Sequence, residues 1–261
     1  MTIGTMTQWL AIPRPNPRAR LRLFCFPYAG GTAVTYRAWM NDLPADIEIC
    51  AIQLPGRESR LREAPFERMT DLITTLGEVL KPSMSVPFAF FGHSMGALVA
   101  FELARYLRRH QQAAPLHLMV SARPAPHLAG GENNHPAVPL YQLPDAELTK
   151  ALVNRYNAIP QAILNEPELL SLLLPTIRAD FTLLETYEFA NEPPLECPIS
   201  AFGGLGDTLV SEHDIAAWRE HTDSNFKLRM FEGDHFYLRP AQTALLQAVC
   251  QDLMRTIIHV Y

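Results

Sequence analysis

The stretch Phe88-Ala89-Phe90-Phe91-Gly92-His93-Ser94-Met95-Gly96-Ala97-Leu98-Val99-Ala100-Phe101-Glu102-Leu103-Ala104 decides how the rest of the chain is read. With Pro87, the residues up to Phe91 form a short apolar run, as a parallel strand buried on both faces requires. From Ala97 onward, apolar residues recur at helical spacing among good helix formers, which predicts a helix over Ser94–Arg109. Between them, Gly92-His93-Ser94-Met95-Gly96 must turn the chain sharply from strand to helix. A side chain at either glycine would collide with the flanking strand or helix. Ser94 is thereby lifted above the strand end, at a helix N-terminus whose amides and dipole favour developing negative charge. Without these neighbours Gly-x-Ser-x-Gly would be a glycine-flanked turn; with them it reads as the seat of a nucleophile.

The rest of the composition is that of an ordinary enzyme. At 261 residues, 48% of them hydrophobic, the chain can bury a sizeable core. A net charge of −5 argues against binding to nucleic acid or to an anionic membrane surface. No apolar run reaches the ~18 residues of a membrane span, and no signal-peptide layout opens the chain, so a cytoplasmic location is expected. Cys25, Cys50, Cys197 and Cys250 lie far apart, three of them in strand-like apolar runs. They read as buried reduced thiols rather than disulfides or metal ligands, and neither a metal nor a cofactor is expected.

Strand-like and helix-like segments alternate, which predicts a mostly parallel sheet covered by helices on both faces. The expected strands are Leu21–Phe26, Ile47–Ile52, Phe88–Phe91, Leu116–Ser121, Ile199–Gly203 and Lys227–Phe231. The expected helices are Phe66–Leu80, Ser94–Arg109, Asp214–Glu220 and Ala241–Ile257. The class is therefore α/β, in the α/β-hydrolase arrangement, with residues 1–261 as one domain. Alternation breaks once, over residues 124–196, where the helical patterns Asp145–Tyr156 and Glu168–Tyr187 are punctuated by Pro139, Pro144, Pro160, Pro167 and Pro175. An inserted helical lid above the strand ends is the expectation; a helical pair packed outside the sheet is the alternative. Leu164, Leu169, Leu172, Leu173, Phe181 and Leu184 could form the apolar face of such a lid or pack on the core.

A serine nucleophile needs a base, and the base needs an acid to orient it, in the chain order Ser, Asp or Glu, His. Of the later histidines, His213 and His221 flank a helical stretch and His259 lies near the C-terminus, positions that suit a surface. His235 follows the strand Lys227–Phe231 after a short loop, at the same sheet edge as Ser94, and is the expected base. Asp207 lies in the glycine-rich loop beyond Ile199–Gly203 and is the expected acid. Ser121-Ala122-Arg123-Pro124-Ala125-Pro126 after the preceding strand offers no carboxylate before Glu132, and Asp234 is too close to His235 to fold back onto its ring. The oxyanion hole is expected from the amides of Met95 and of Ala29, the latter in Pro27-Tyr28-Ala29-Gly30-Gly31 after an early strand.

Four stretches now carry a resemblance. Leu23-Phe24-Cys25-Phe26-Pro27-Tyr28-Ala29-Gly30-Gly31, Gln53-Leu54-Pro55-Gly56-Arg57-Glu58, Phe91-Gly92-His93-Ser94-Met95-Gly96-Ala97 and Gly233-Asp234-His235-Phe236 span nearly the whole chain. Together they resemble the type II (editing) thioesterases that accompany nonribosomal peptide and polyketide synthases. The resemblance implies the α/β-hydrolase fold with a helical lid. It also implies hydrolysis of acyl thioesters on the phosphopantetheine arm of acyl or peptidyl carrier proteins, with Ser94, Asp207 and His235 as the triad. Asp234 departs from the family, which usually has a second glycine before the histidine. A general carboxylesterase or acyl-CoA thioesterase would share the triad, and a non-catalytic binding protein of this fold would be expected to have lost part of it. Because carrier domains are generally acidic and this chain is itself negative, attraction would need a local cluster. Arg57, Arg60 and Arg62 are one such cluster, or else form a solvated loop paired with Glu58 and Glu63.

Overall fold

In the computed structural model, which describes residues 8–128, 138–156 and 161–260 (side chains of 161, 162 and 257–260 excepted), seven strands build one sheet. They are β1 (Leu10–Ala11), β2 (Leu21–Phe26), β3 (Ile47–Ile52), β4 (Phe88–His93), β5 (Leu118–Ser121), β6 (Ile199–Gly204) and β7 (Phe226–Phe231). Their order is β1-β3-β2-β4-β5-β6-β7; β1 runs antiparallel to β3 and every other neighbouring pair is parallel. The helices are α1 (Met69–Leu80), α2 (Met95–Arg109), α3 (Asp145–Tyr156), α4 (Gln161–Leu164), α5 (Pro167–Glu185), α6 (Glu212–Ala216) and α7 (Gln242–Val260).

The central strands are largely apolar because each is covered on both faces. Phe24, Phe26, Phe90 and Val120 face a core shared with α1 and α2. Alternate residues Leu23, Cys25, Phe91 and Met119 face a second core completed by Tyr36, Trp39 and, from α7, Leu245, Val249 and Leu253. Period-two alternation thus separates two apolar faces rather than an apolar face from a polar one. On the second face the Phe91 ring meets Trp39 edge-on at 4.8 Å. Asp252 of α7 lies fully buried against the sheet, bonded to Ser200 Oγ at 2.7 Å, Lys227 Nζ at 2.5 Å and Arg229 Nη1 at 2.6 Å. Burial alone would raise its pKa; the hydrogen bonds from Arg229, Lys227 and Ser200 outweigh burial and hold the carboxyl well below the usual range.

Most boundaries fall within three residues of the expectation. The early helix begins at Met69, not Phe66, and α6 ends at Ala216, giving way to a 3₁₀ turn over Ala217–His221. Among the elements with no counterpart in the sequence reading are the two-residue β1, the short helix α4, and the 3₁₀ segment Ala33–Asn41 that carries Tyr36 and Trp39 into the core. His221 is a correction. It is buried, not exposed, because the 3₁₀ turn brings its ring against Phe101 at 5.2 Å and Trp218 at 5.6 Å. Burial, and then the neighbouring His127, push its pKa down to about 4. His213 is exposed as expected, and the side chain of His259 lies outside the described residues. All four cysteines are free thiols; burial pushes Cys50 up to about 12.

Between β5 and β6 the chain forms α3, α4 and α5. Pro167 opens α5, where its missing N–H is no loss, and Pro175 lies inside the helix. Leu148 and Leu152 of α3 pack with Leu140 and with Leu174 and Phe181 of α5 in a third apolar cluster. Among the described residues, no helix is long and apolar enough to cross a membrane.

Candidate active site

Ser94 sits between β4 and α2 with φ +53° and ψ −113°, the left-handed backbone that a sharp strand-to-helix turn imposes. A Cβ on Gly92 would overlap the Gly96 carbonyl, and one on Gly96 the Phe26 carbonyl, so the turn closes only with glycine at both positions. The Ser94 amide donates to Ser121 O at 2.8 Å, which fixes the turn to β5.

Asp207 and His235 reach Ser94 from the loops after β6 and β7, the two strands that continue the sheet beyond β5. His235 Nε2 lies 3.1 Å from Ser94 Oγ, and His235 Nδ1 lies 2.8 Å from Asp207 Oδ2. The other carboxylate oxygen of Asp207 accepts the amides of Leu209 at 2.8 Å and Val210 at 3.3 Å. The Asp207 carboxylate is therefore clamped on both sides, and its side chain is fully buried. The arrangement can hold His235 with its proton on Nδ1 and a free lone pair on Nε2 toward the serine. Asp234 turns away, its Oδ1 accepting the Phe236 amide at 2.8 Å. Glu132 lies outside the described residues.

Behind His235, His93 Nδ1 bonds to Ser121 Oγ at 2.8 Å, and Ser121 Oγ to the Tyr237 hydroxyl at 2.5 Å. Burial, and then the neighbouring His235, hold the His93 pKa well below the ordinary histidine range. It is a neutral ring, 5.5 Å from that of His235.

Of the expected oxyanion donors, Met95 is the first residue of α2, where an amide has no intrahelical acceptor. In the loop after β2, the Gly31 amide donates to Tyr28 O at 2.8 Å and the Gly30 amide to Asp180 Oδ2 at 2.7 Å. The amide of Ala29 has no acceptor among the described residues. Ser94, His235 and Ala29 share the wall of a cavity of about 490 Å³. Its lining is largely apolar, including Leu173, Phe181 and Leu184 of α5, whereas Leu169 and Leu172 are exposed to solvent. Among the described residues, no group of three or more His, Cys, Asp or Glu side chains could hold a metal ion.

The arginines expected as a surface cluster are a second correction. Arg57 and Arg60 are buried, and of the three only Arg62 is exposed. Arg57 pairs with Asp180 of α5 rather than with Glu58, and Arg60 lies 3.9 Å over the Trp9 ring while pairing with Glu63. Each has found enough hydrogen bonds inside the protein to leave water. Sequence reasoning also passed over Arg123 and Tyr156, which line the cavity. The signal for Arg123 was its place immediately beyond β5, at the same sheet edge as Ser94.

A model of the thioesterase domain family matches residues 21–253. Gramicidin S biosynthesis protein GrsT of Aneurinibacillus migulanus is 40% identical over 251 residues, 96% of each chain. The type II thioesterase BorB from the borrelidin biosynthetic cluster superposes with a TM-score of 0.82 at 37% identity, over 93% of this chain and 96% of that one. YbtT, a type II thioesterase from the yersiniabactin NRPS/PKS pathway, gives a TM-score of 0.82 at 29% identity, over 95% and 99%.

Proposed function

The chain belongs to the thioesterase family, as a type II thioesterase of nonribosomal peptide and polyketide pathways, and we propose that Ser94, His235 and Asp207 are its catalytic triad. The substrate proposed is an acyl thioester on the phosphopantetheine arm of an acyl or peptidyl carrier protein, met in the cytoplasm. Its hydrolysis clears aberrant or stalled acyl groups from the synthase. The observation that carries this reading is the unbroken path from Asp207 Oδ2 through His235 to Ser94 Oγ, at 2.8 and 3.1 Å, opening onto one cavity.

His235 Nε2 takes the Ser94 hydroxyl proton as Oγ attacks the thioester carbonyl. The carbonyl oxygen becomes an oxyanion facing the amides of Met95 and Ala29, and Asp207 stabilises the imidazolium. Collapse breaks the carbon–sulfur bond, and His235 returns its proton to the departing thiol. Water then attacks the acyl-serine with His235 as base, releasing the acid and restoring Ser94. The apolar lining receives the acyl chain, and α3 to α5 serve as the lid over it.

The test compares one short acyl group on a carrier protein and on coenzyme A. Hydrolysis of both should vanish in Ser94→Ala, and kcat/KM should be higher for the carrier. Equal values would reduce the enzyme to a generic acyl-CoA thioesterase, and faster hydrolysis of the matching oxygen ester would make it a carboxylesterase.

A further inference from the structure

The loop after β2 supplies the Ala29 amide but has no regular secondary structure to hold it in place. A side chain 150 residues further along the chain does so instead. Asp180, on α5, accepts the Gly30 amide on Oδ2 at 2.7 Å. The same carboxylate receives the fork of Arg57, Nη2 to Oδ1 at 2.8 Å and Nη1 to Oδ2 at 3.0 Å. Arg57 Nη1 also donates to the Gly31 carbonyl at 3.0 Å. The Ala29–Gly30 and Gly31–Thr32 peptide groups are thus both tied to one buried ion pair. Gly30 has φ +71°, and a Cβ there would stand 3.1 Å from Ile177, so α5 packs directly on the loop. Thr176 Oγ1 donates to Gly56 O at 2.5 Å, so α5 also holds the segment that carries Arg57.

Stability alone does not explain such a pair. The desolvation of two buried charges offsets much of their attraction, and apolar residues often serve as well. What a rigid guanidinium fork supplies better than apolar packing is placement. An oxyanion donor works only if it is already in position when the charge develops.

We propose that Arg57 and Asp180 are positioning residues for the oxyanion hole, fixing the Ala29-Gly30-Gly31 backbone so that the Ala29 amide faces Ser94. Alignment of the hole then depends on α5 being seated, which couples the cover of the cavity to the chemistry beneath it. The inference rests on Ser94 being the nucleophile and Ala29 an oxyanion donor.

The test uses Asp180→Asn and the double variant Arg57→Met/Asp180→Leu, which leaves no buried charge unpaired. With a short acyl-CoA, kcat should fall about 10- to 100-fold while KM stays within about threefold, since part of one oxyanion donor is lost. Affinity should fall by the same factor for a trifluoromethyl ketone analogue, to whose carbonyl Ser94 Oγ adds to leave an oxyanion in the hole. Affinity for the matching thioether, which has no carbonyl, should not change. A folded double variant with wild-type kcat and wild-type affinity for the ketone overturns the proposal. On the unaltered protein, the Gly30 amide should exchange with deuterium as slowly as the central strands; rapid exchange in the active enzyme overturns it whether or not the variants fold. Ser94→Ala, assayed alongside, separates the outcomes: turnover by that variant would refute the nucleophile reading itself.

Discussion

Replacing Asp207 by Asn exchanges one oxygen for an NH₂ group, and the surroundings dictate which way the new amide points. The Leu209 and Val210 amides, 2.8 and 3.3 Å from Oδ1, can be satisfied only by the remaining oxygen. Turning the side chain round would lose both bonds and set N–H against N–H. At roughly 1 kcal/mol per bond, plus the cost of leaving buried donors unpaired, that orientation lies about 2–4 kcal/mol higher. The NH₂ group therefore faces His235 Nδ1, 2.8 Å from Oδ2 in the native protein, and forces that nitrogen to accept. The ring proton moves to Nε2, which then donates to Ser94 Oγ and can no longer remove its proton. At tenfold per 1.4 kcal/mol, and with stabilisation of the imidazolium also lost, kcat should fall about 10²- to 10⁴-fold. Thiol release from a short acyl-CoA measures this, with circular dichroism to confirm the fold. An Asp207→Asn enzyme within threefold of wild type would refute the reasoning, and loss of activity in Glu132→Gln alongside it would move the acid elsewhere.

Ser94 holds a left-handed backbone conformation that a non-glycine residue adopts at roughly 1–2 kcal/mol, so Ser94→Gly should abolish turnover yet raise stability by up to about 1 kcal/mol. A lower Tm than wild type would contradict the strain. Burial pushes the pKa of His117 down to about 4, below the roughly 6.5 of an unfolded chain, so the unfolded state binds its proton first as pH falls. The stability that neutral His117 confers is complete above pH 6.5 and is lost toward pH 4. Urea midpoints should fall over that window, less steeply in His117→Gln; identical slopes would refute the assignment. Asp252→Asn leaves Lys227 and Arg229 facing a neutral group and should cost about 2–4 kcal/mol, lowered from the usual range because both cations keep some contact with water. A loss below 1 kcal/mol by urea denaturation would show that α7 is held by its apolar face alone.

The sheet was legible because parallel strands buried on both faces leave largely apolar runs. These are unbroken in Phe88-Ala89-Phe90-Phe91 of β4 and Leu118-Met119-Val120 of β5 and interrupted only by Arg22 in β2 and Glu48 in β3, while β7 alternates Phe226, Leu228 and Met230 with Lys227 and Arg229. β1 escaped because two residues make no pattern, and its pairing with β3 depends on how the N-terminal chain returns. Asp207 and His235 could be placed from chain order and strand position, which is local information. Arg57 could not, since a charged residue in a glycine- and proline-bounded loop reads as surface. What buries it is Asp180, 123 residues later, and no periodicity links the two. His221 misled for the same reason: Trp218 shares its 3₁₀ turn, but Phe101, which closes over the ring, lies 120 positions earlier in the chain.

The clamp on the loop after β2 would also set the moment in synthesis at which hydrolysis becomes possible. Tyr28 to Gly31 and Ser94 leave the ribosome early, but residue 180 must emerge before the loop can be fixed, and Asp207 and His235 come later still. A nascent chain ending near residue 170 carries Ser94 and its glycine turn without His235 or Asp207 and with the loop after β2 unfastened. The closing contacts are long-range ones, whose chain entropy is met only as the whole sheet assembles. On the proposed triad, activity should appear only once the chain extends past His235, and shorter nascent chains should be inert toward thioesters.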